Sequence, residues 1–203
     1  MILDVIKRCT DLFTLKRKYP QMELMFTEVK LVADCLHRRG PCNFLVFGMG
    51  HDSVLWMQLN EGGRTVFLED HDEWYKKITS ECPEMEGYLV KYTTTLPEWR
   101  DVLEHQERLE IDLPDKITKT SWHVILVDGP KGDPKNHQKY GVHPPGRMQS
   151  IYTASSLAAP GGDVFVHDCD RQVESTYAHT YLGRENLRKS VRGRGLLRHY
   201  QMP

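Results

Sequence analysis

The sequence predicts an α/β protein: a Rossmann-like, mainly parallel sheet with N-terminal helices before it and an antiparallel hairpin at its end. Three observations predict this. Short apolar runs bounded by glycines alternate with helix-like segments, the pattern of βαβ units. The runs are apolar throughout, as strands covered on both faces must be. The turn after the first run reads Gly48-Met49-Gly50, a spacing that permits close backbone approach to a ligand.

Residues 2–19 and 22–38 have helical patterns. In the second, Met22, Met25, Phe26, Val29, Val32, Ala33 and Leu36 recur at helical spacing, and Gly40-Pro41 stops the helix. Residues 42–47 are a buried strand. A helix follows from Asp52 or Ser53, either of which is a capping residue type. Residues 65–68 form a second strand, 72–80 a helix, 87–92 a weaker strand and 99–110 a charged, exposed helix. Residues 122–127 are a strongly apolar strand. The polar stretch 133–145, with three prolines, reads as a loop. A helix over 147–159, a strand over 163–167, a helix over 173–182 and a hairpin over 187–202 complete the order. At 203 residues the chain suits one domain, with 1–40 as a helical extension and 41–203 as the core.

Composition excludes several classes. Formal net charge is -1, so there is no general pull toward nucleic acid or an acidic membrane. The five cysteines form no C-x-x-C pair and are odd in number, which speaks against a zinc ribbon or a complete disulfide framework. Charge enters too early for a signal peptide, and no apolar stretch approaches the roughly 20 residues of a membrane span. The chain reads as soluble, and its scattered thiols favour a reducing, cytoplasmic setting, with the Golgi lumen as the alternative if the chain is part of a longer anchored protein.

In such sheets, ligands bind beyond the carboxyl ends of the strands. The glycine loop Gly48-x-Gly50 lacks the third glycine of a dinucleotide fingerprint, since position 53 is Ser. Glu69 lies 21 residues beyond Gly48, where an acid at the tip of the second strand binds a ribose diol. With Asp52, Ser53 and Asp70 these residues form the candidate set for a nucleoside-bearing cofactor. The missing glycine, the terminal hairpin and the short chain favour S-adenosylmethionine over a nicotinamide dinucleotide. After the fourth strand, Asp128 can orient an acceptor, bind cofactor or ligate a metal. Lys131 suits an acidic substrate, and Arg147 can hold a carboxylate with its fork. After the fifth strand come His167, a candidate general base, Asp168 and Arg171, a further substrate-binding candidate. Asp128 with His167 or Asp168 can also hold a divalent ion, although no ligand spacing here is diagnostic of a metal.

Five ordered blocks carry a family resemblance: residues 42–53, 63–69, 127–132, 145–148 and 164–168, with Arg171 and Glu174. The chain resembles the plant glucuronoxylan 4-O-methyltransferase and irregular-xylem type polysaccharide biosynthesis family. The resemblance implies a class I methyltransferase fold and methyl transfer from adenosylmethionine to a sugar hydroxyl, such as O4 of glucuronic acid on xylan. It implies cofactor roles for Gly48, Gly50 and Glu69. It implies active-site roles for Asp128, Lys131, Arg147, His167 and Asp168. Plant members carry an N-terminal membrane anchor for the Golgi, which this sequence lacks. Its segment before Pro145, with His137, Lys139, Tyr140 and His143, is longer than the family's, and residues 103–120 look shortened. Both bear on the acceptor. Alternatives are a small acidic metabolite as substrate, a non-methyl use of the cofactor, and a non-catalytic protein that retains the fold.

Overall fold

The structure, a computed structural model, describes residues 14, 17, 20–132 and 143–203. The first expected helix (2–19) and most of the loop 133–145 lie outside these. Helix α1 is Phe26–Arg39, strand β1 Asn43–Phe47, α2 Ser53–Leu59, β2 Arg64–Glu69, α3 Asp72–Glu81 and β3 Glu86–Leu89. Then come α4 (Trp99–Glu104), the short α5 (Asp115–Thr118), β4 (Trp122–Val127), α6 (Met148–Leu157), β5 (Ala158–Val166), α7 (Gln172–Leu182), β6 (Leu187–Arg192) and β7 (Leu196–Gln201).

All seven strands join one sheet in the order β3-β2-β1-β4-β5-β7-β6. Strands β1 to β5 run parallel. β7 is antiparallel to β5 and to β6, the hairpin read from the sequence. The chain steps outward from β1 to β3 and then returns to β4 on the other side of β1. The order therefore reverses between β1 and β4, the place at the carboxyl ends where open α/β sheets bind ligands in a crevice.

The apolar runs divide by alternation. Phe44, Val46, Phe67, Val124, Leu126 and Phe165 face a core shared with α1, α2 and α3. Leu45, Phe47, Val66, Leu68, Ile125, Val127, Val164 and Val166 face the other, with Met148, Ile151 and Tyr177 of α6 and α7. Both faces are buried, which is why apolar residues fill both alternations of these strands.

Several boundaries differ from expectation. Helix α1 begins at Phe26, not residue 22, because the Glu28 side chain folds back to accept the Met25 N–H at 2.8 Å and closes the first turn. The third strand stops at Leu89. The helix expected over 99–110 ends at Glu104, and a 3-10 turn over Gln106–Leu109 brings Arg108 back to Glu98 and Asp101. Strand β5 begins at Ala158, five residues early, across an irregularity in its pairing with β4. The short α5 was not expected; its Ile117 carbonyl accepts the indole N–H of buried Trp122 at 2.9 Å. Cys35, Cys42, Cys82 and Cys169 are unpaired. Among the described residues no helix is long and apolar enough to cross a membrane.

Asp163 in β5 fastens α1 to the end of the sheet remote from the crevice. Its carboxylate meets Arg39 Nε at 2.5 Å and His199 Nε2 at 2.5 Å. Burial pushes the Asp163 carboxyl up, but the hydrogen bonds from His199 and Arg39 outweigh it and hold the group at about 2. A depressed carboxyl stabilises the fold above its unfolded value and loses that contribution as pH falls through the folded one. Stability should therefore drop between about pH 4 and pH 2. Asp163→Asn should lower it at neutral pH by about 3 kcal/mol, because a buried pair loses one partner. Chemical denaturation of both proteins across that range checks this, with the variant expected to show the flatter acid limb.

Candidate active site

The reversal in strand order requires the loops after β1 and β4 to lie side by side. Gly48 has φ +103°, and a Cβ built on Gly129 would stand 2.8 Å from the Gly48 Cα and N. The two backbones touch with no room for a side chain between them. The loop is closed from the other side by Glu69, which is 6% exposed. Its Oε2 accepts the Met49 N–H at 2.7 Å and its Oε1 the His71 N–H at 2.9 Å. Burial raises the Glu69 carboxyl against these two bonds. Each oxygen keeps a lone pair. Asp70 follows directly and is half-buried, its carboxyl also raised by burial.

Asp52 and Ser53 do not cap α2 as expected. The Asp52 carboxylate accepts the Trp56 indole N–H at 3.0 Å, and the Ser53 hydroxyl accepts the Gly50 N–H at 3.0 Å. Both side chains shape the loop from within. Burial, reinforced by the negative charge of Asp128, lifts the Asp52 carboxyl to about 6.

On the β4–β5 side the structure brings the predicted charges together. His167 Nδ1 lies 2.9 Å from Asp128 Oδ1 and 3.6 Å from Asp168 Oδ2. Arg147, at the start of α6 and 3% exposed, reaches Asp128 Oδ1 at 3.2 Å and Asp168 Oδ2 at 2.9 Å. Its Nε donates to the Pro130 carbonyl at 3.0 Å. Arg171 pairs with Asp168 at 3.0 Å and with the Lys131 carbonyl at 3.1 Å. Lys131 itself is exposed. Asp168 holds φ +59°, a left-handed conformation rare for a residue with a side chain.

Two buried acids join the site: Glu28, which sequence reasoning missed, and Glu174, which it named only as part of the family resemblance. Glu28 of α1, fully buried, meets His167 Nε2 at 2.9 Å. Glu174 of α7, 1% exposed, sits 3.8 Å from Arg171, and burial raises its carboxyl. Glu28 did carry a signal, since it is a charge on the face that Val32 and Leu36 bury. Burial depresses the basicity of His167, but the carboxylates of Asp128 and Glu28 overcome it and push the imidazolium up to about 10. For Asp128 burial works upward, yet His167 and Arg147 leave its carboxyl below the ordinary range.

The family model for IRX15/IRX15L/GXM matches residues 27–111 and 106–200, nearly all of the described chain. The chain belongs to the IRX15/IRX15L/GXM family. It is 37% identical over 199 residues to glucuronoxylan 4-O-methyltransferase 2 of Arabidopsis thaliana, covering 88% of this chain and 65% of that protein. It is 34% identical to arabinogalactan O-methyltransferase 2 of the same plant, covering 88% and 66%. The chain thus spans about two thirds of the length of these relatives. Among solved structures, a TehB-like SAM-dependent methyltransferase from Corynebacterium glutamicum superposes with a TM-score of 0.50, at 12% identity, over 84% of this chain and 86% of that one. At such identity the likeness establishes the fold alone, which is that of the class I methyltransferases, as the family resemblance implied.

Within the family frame, the contact of Gly48 with Gly129 is the point where the β1 loop and the β4 loop meet. Gly129→Ala must force these backbones apart, at a cost of about 2 kcal/mol, the middle of the overpacking range. Thermal unfolding should show the loss.

Proposed function

We propose that the protein is an S-adenosylmethionine-dependent O-methyltransferase acting on a sugar hydroxyl, on a uronic-acid-containing glycan. The observation that carries this reading is the convergence on one crevice of a backbone cradle with a buried acid, Gly48 to Gly50 with Glu69, and a charged pair of strand tips, Asp128 with Asp168. The likeness to a glucuronoxylan methyltransferase supports the acceptor class.

Glu69 fits a ribose, because a buried carboxylate with one backbone donor on each oxygen still has capacity for hydroxyl hydrogens. Gly48 and Gly50 would line the same cradle with Asp70 beside them, while Asp52 and Ser53 hold its shape. When bound, the cofactor supplies a methyl group that is already activated. The chain must therefore align an acceptor oxygen, chiefly an orientation effect. Asp128 accepts the hydrogen bond of that hydroxyl, takes its proton as the new bond to carbon forms, and passes it to solvent from its exposed edge, 26% accessible. His167 is a less suitable base, because both its ring nitrogens face carboxylates. It keeps Asp128 ionised and oriented. Lys131 and Arg171, both accessible, receive the acceptor carboxylate, whereas Arg147 is engaged as the buried counter-charge.

A second reading adds a divalent cation. Asp128, His167 and Asp168 each offer a ligand atom, all within 4.8 Å of one another. Two carboxylates and one imidazole suit such an ion, and its chemistry would be to polarise the acceptor oxygen. Arg147 occupies the same two carboxylates, so ion and guanidinium compete. Turnover that a chelator abolishes and one divalent metal restores supports the ion; turnover indifferent to chelation removes it.

Asp128→Asn should retain S-adenosylhomocysteine affinity within about twofold and lose at least about a hundredfold in kcat on an acidic xylan acceptor. Undiminished turnover would take Asp128 out of the mechanism. Glu69→Ala should show the opposite profile, with S-adenosylhomocysteine binding lost in calorimetry. A product heavier by about 14 Da, as methyl replaces hydrogen, marks methylation itself.

A further inference from the structure

We propose that Glu28 is a positioning residue of the active site, and that α1 and the tip of the β6–β7 hairpin are built into that site to aim His167. The inference rests on the reading of Asp128 and His167 as the reacting end.

Glu28 is 0% exposed on a helix face that is otherwise apolar. One carboxylate oxygen meets His167 Nε2 at 2.9 Å. The other accepts the Met25 N–H at 2.8 Å and the Arg194 N–H at 3.4 Å. The carboxylate is thus held by the first turn of its own helix and by the hairpin tip at once. The other ring nitrogen of His167 lies 2.9 Å from Asp128. An imidazole fixed at both nitrogens cannot turn about its bond to Cβ, so Glu28 sets the direction from which His167 addresses Asp128.

The hairpin tip is cut to fit this arrangement. A Cβ on Gly193 would collide with the Glu28 carboxylate. A Cβ on Gly195 would stand 2.7 Å from Asp168 Oδ1 and 3.0 Å from His167 Nε2. Packing alone gives no reason for this set. A buried carboxylate is costly, and an apolar residue at position 28 would bury the same face more cheaply. The charge is explained by what it touches, which is one ring at the end of the crevice.

The test compares three variants of the full chain. Glu28→Gln keeps the shape and removes the charge. Gly195→Ala presses on the same ring, and on the Asp168 carboxylate beside it, without altering any charge. Val29→Ala loosens α1 at a fully buried apolar position without altering any charge. The readouts are kcat and KM on an acidic xylan acceptor, calorimetric affinity for S-adenosylhomocysteine, and the 15N resonances of the His167 ring. Glu28→Gln and Gly195→Ala are each expected to shift those resonances and to lower kcat at least about tenfold, as small misplacements near a reacting centre do. Cofactor affinity should stay within twofold. Val29→Ala should lose thermal stability and keep kcat per folded molecule. The proposal is overturned if Glu28→Gln leaves ring resonances or kcat unchanged, or if Val29→Ala loses as much kcat. Should Glu28→Gln fail to fold, Gly195→Ala decides by the same criteria. Full turnover in His167→Asn would instead overturn the reading of the reacting end. Loss in His167→Asn with full turnover in Glu28→Gln would overturn only the role of Glu28.

Discussion

The buried guanidinium of Arg147 is the interaction on which the site depends. Asp128 and Asp168 project from the ends of adjacent parallel strands, and two bare carboxylates there would drive one another toward protonation. Arg147 lies within 3.2 Å of the first and 2.9 Å of the second, and is itself 3% exposed. Removing a cation from water costs several kcal/mol, which only close, hydrogen-bonded anions offset. The Pro130 carbonyl adds a further acceptor from the β4 loop. The start of α6, the β4 loop and the β5 tip are therefore held in one arrangement by a single side chain.

The crevice divides by chemistry as well as by position. On the β1–β2 side the functional atoms are mostly backbone, arranged by Glu69, Ser53 and the contact of Gly48 with Gly129. Such a surface suits a ligand of fixed shape. On the β4–β5 side they are charged side chains, and Lys131 and Arg171 stand at its accessible rim. On the proposed function, changes on that rim would alter what is recognised and leave the cradle in place. Relatives named for glucuronoxylan and for arabinogalactan both align with most of this chain, which accords with such a division.

The succession of strands and helices along the chain, the glycine loop and the acidic strand tips were legible because they are local. An apolar run bounded by glycines has few alternatives, and the residue after each strand is found by counting. Asp128, His167 and Asp168 were identified in that way, and they do meet. Glu28 was not, because its partner lies 139 positions away and no periodicity reports a contact across that span. Arg147 was read as a substrate ligand because its type allows that. Only the burial of its side chain shows it engaged by Asp128 and Asp168. Asp52 and Ser53 have the composition of helix caps, yet the indole of Trp56 and the amide of Gly50 compete for them and win. The break after Glu104 follows from Arg108 turning back to two acids, a tertiary preference that overrides an amphipathic pattern.

The antiparallel pair at the sheet edge has a consequence for the order in which the molecule becomes whole. Among the described residues β6 has β7 as its only strand neighbour, and β7 joins it to β5. β7 also carries Leu197 and Tyr200, fully buried in the two cores, so the parallel sheet is not covered at that edge until β7 has paired with β5. The turn that seats Glu28 against His167 lies between β6 and β7, so the pairing of the last described strand also fixes the contact of α1 with the tip of β5.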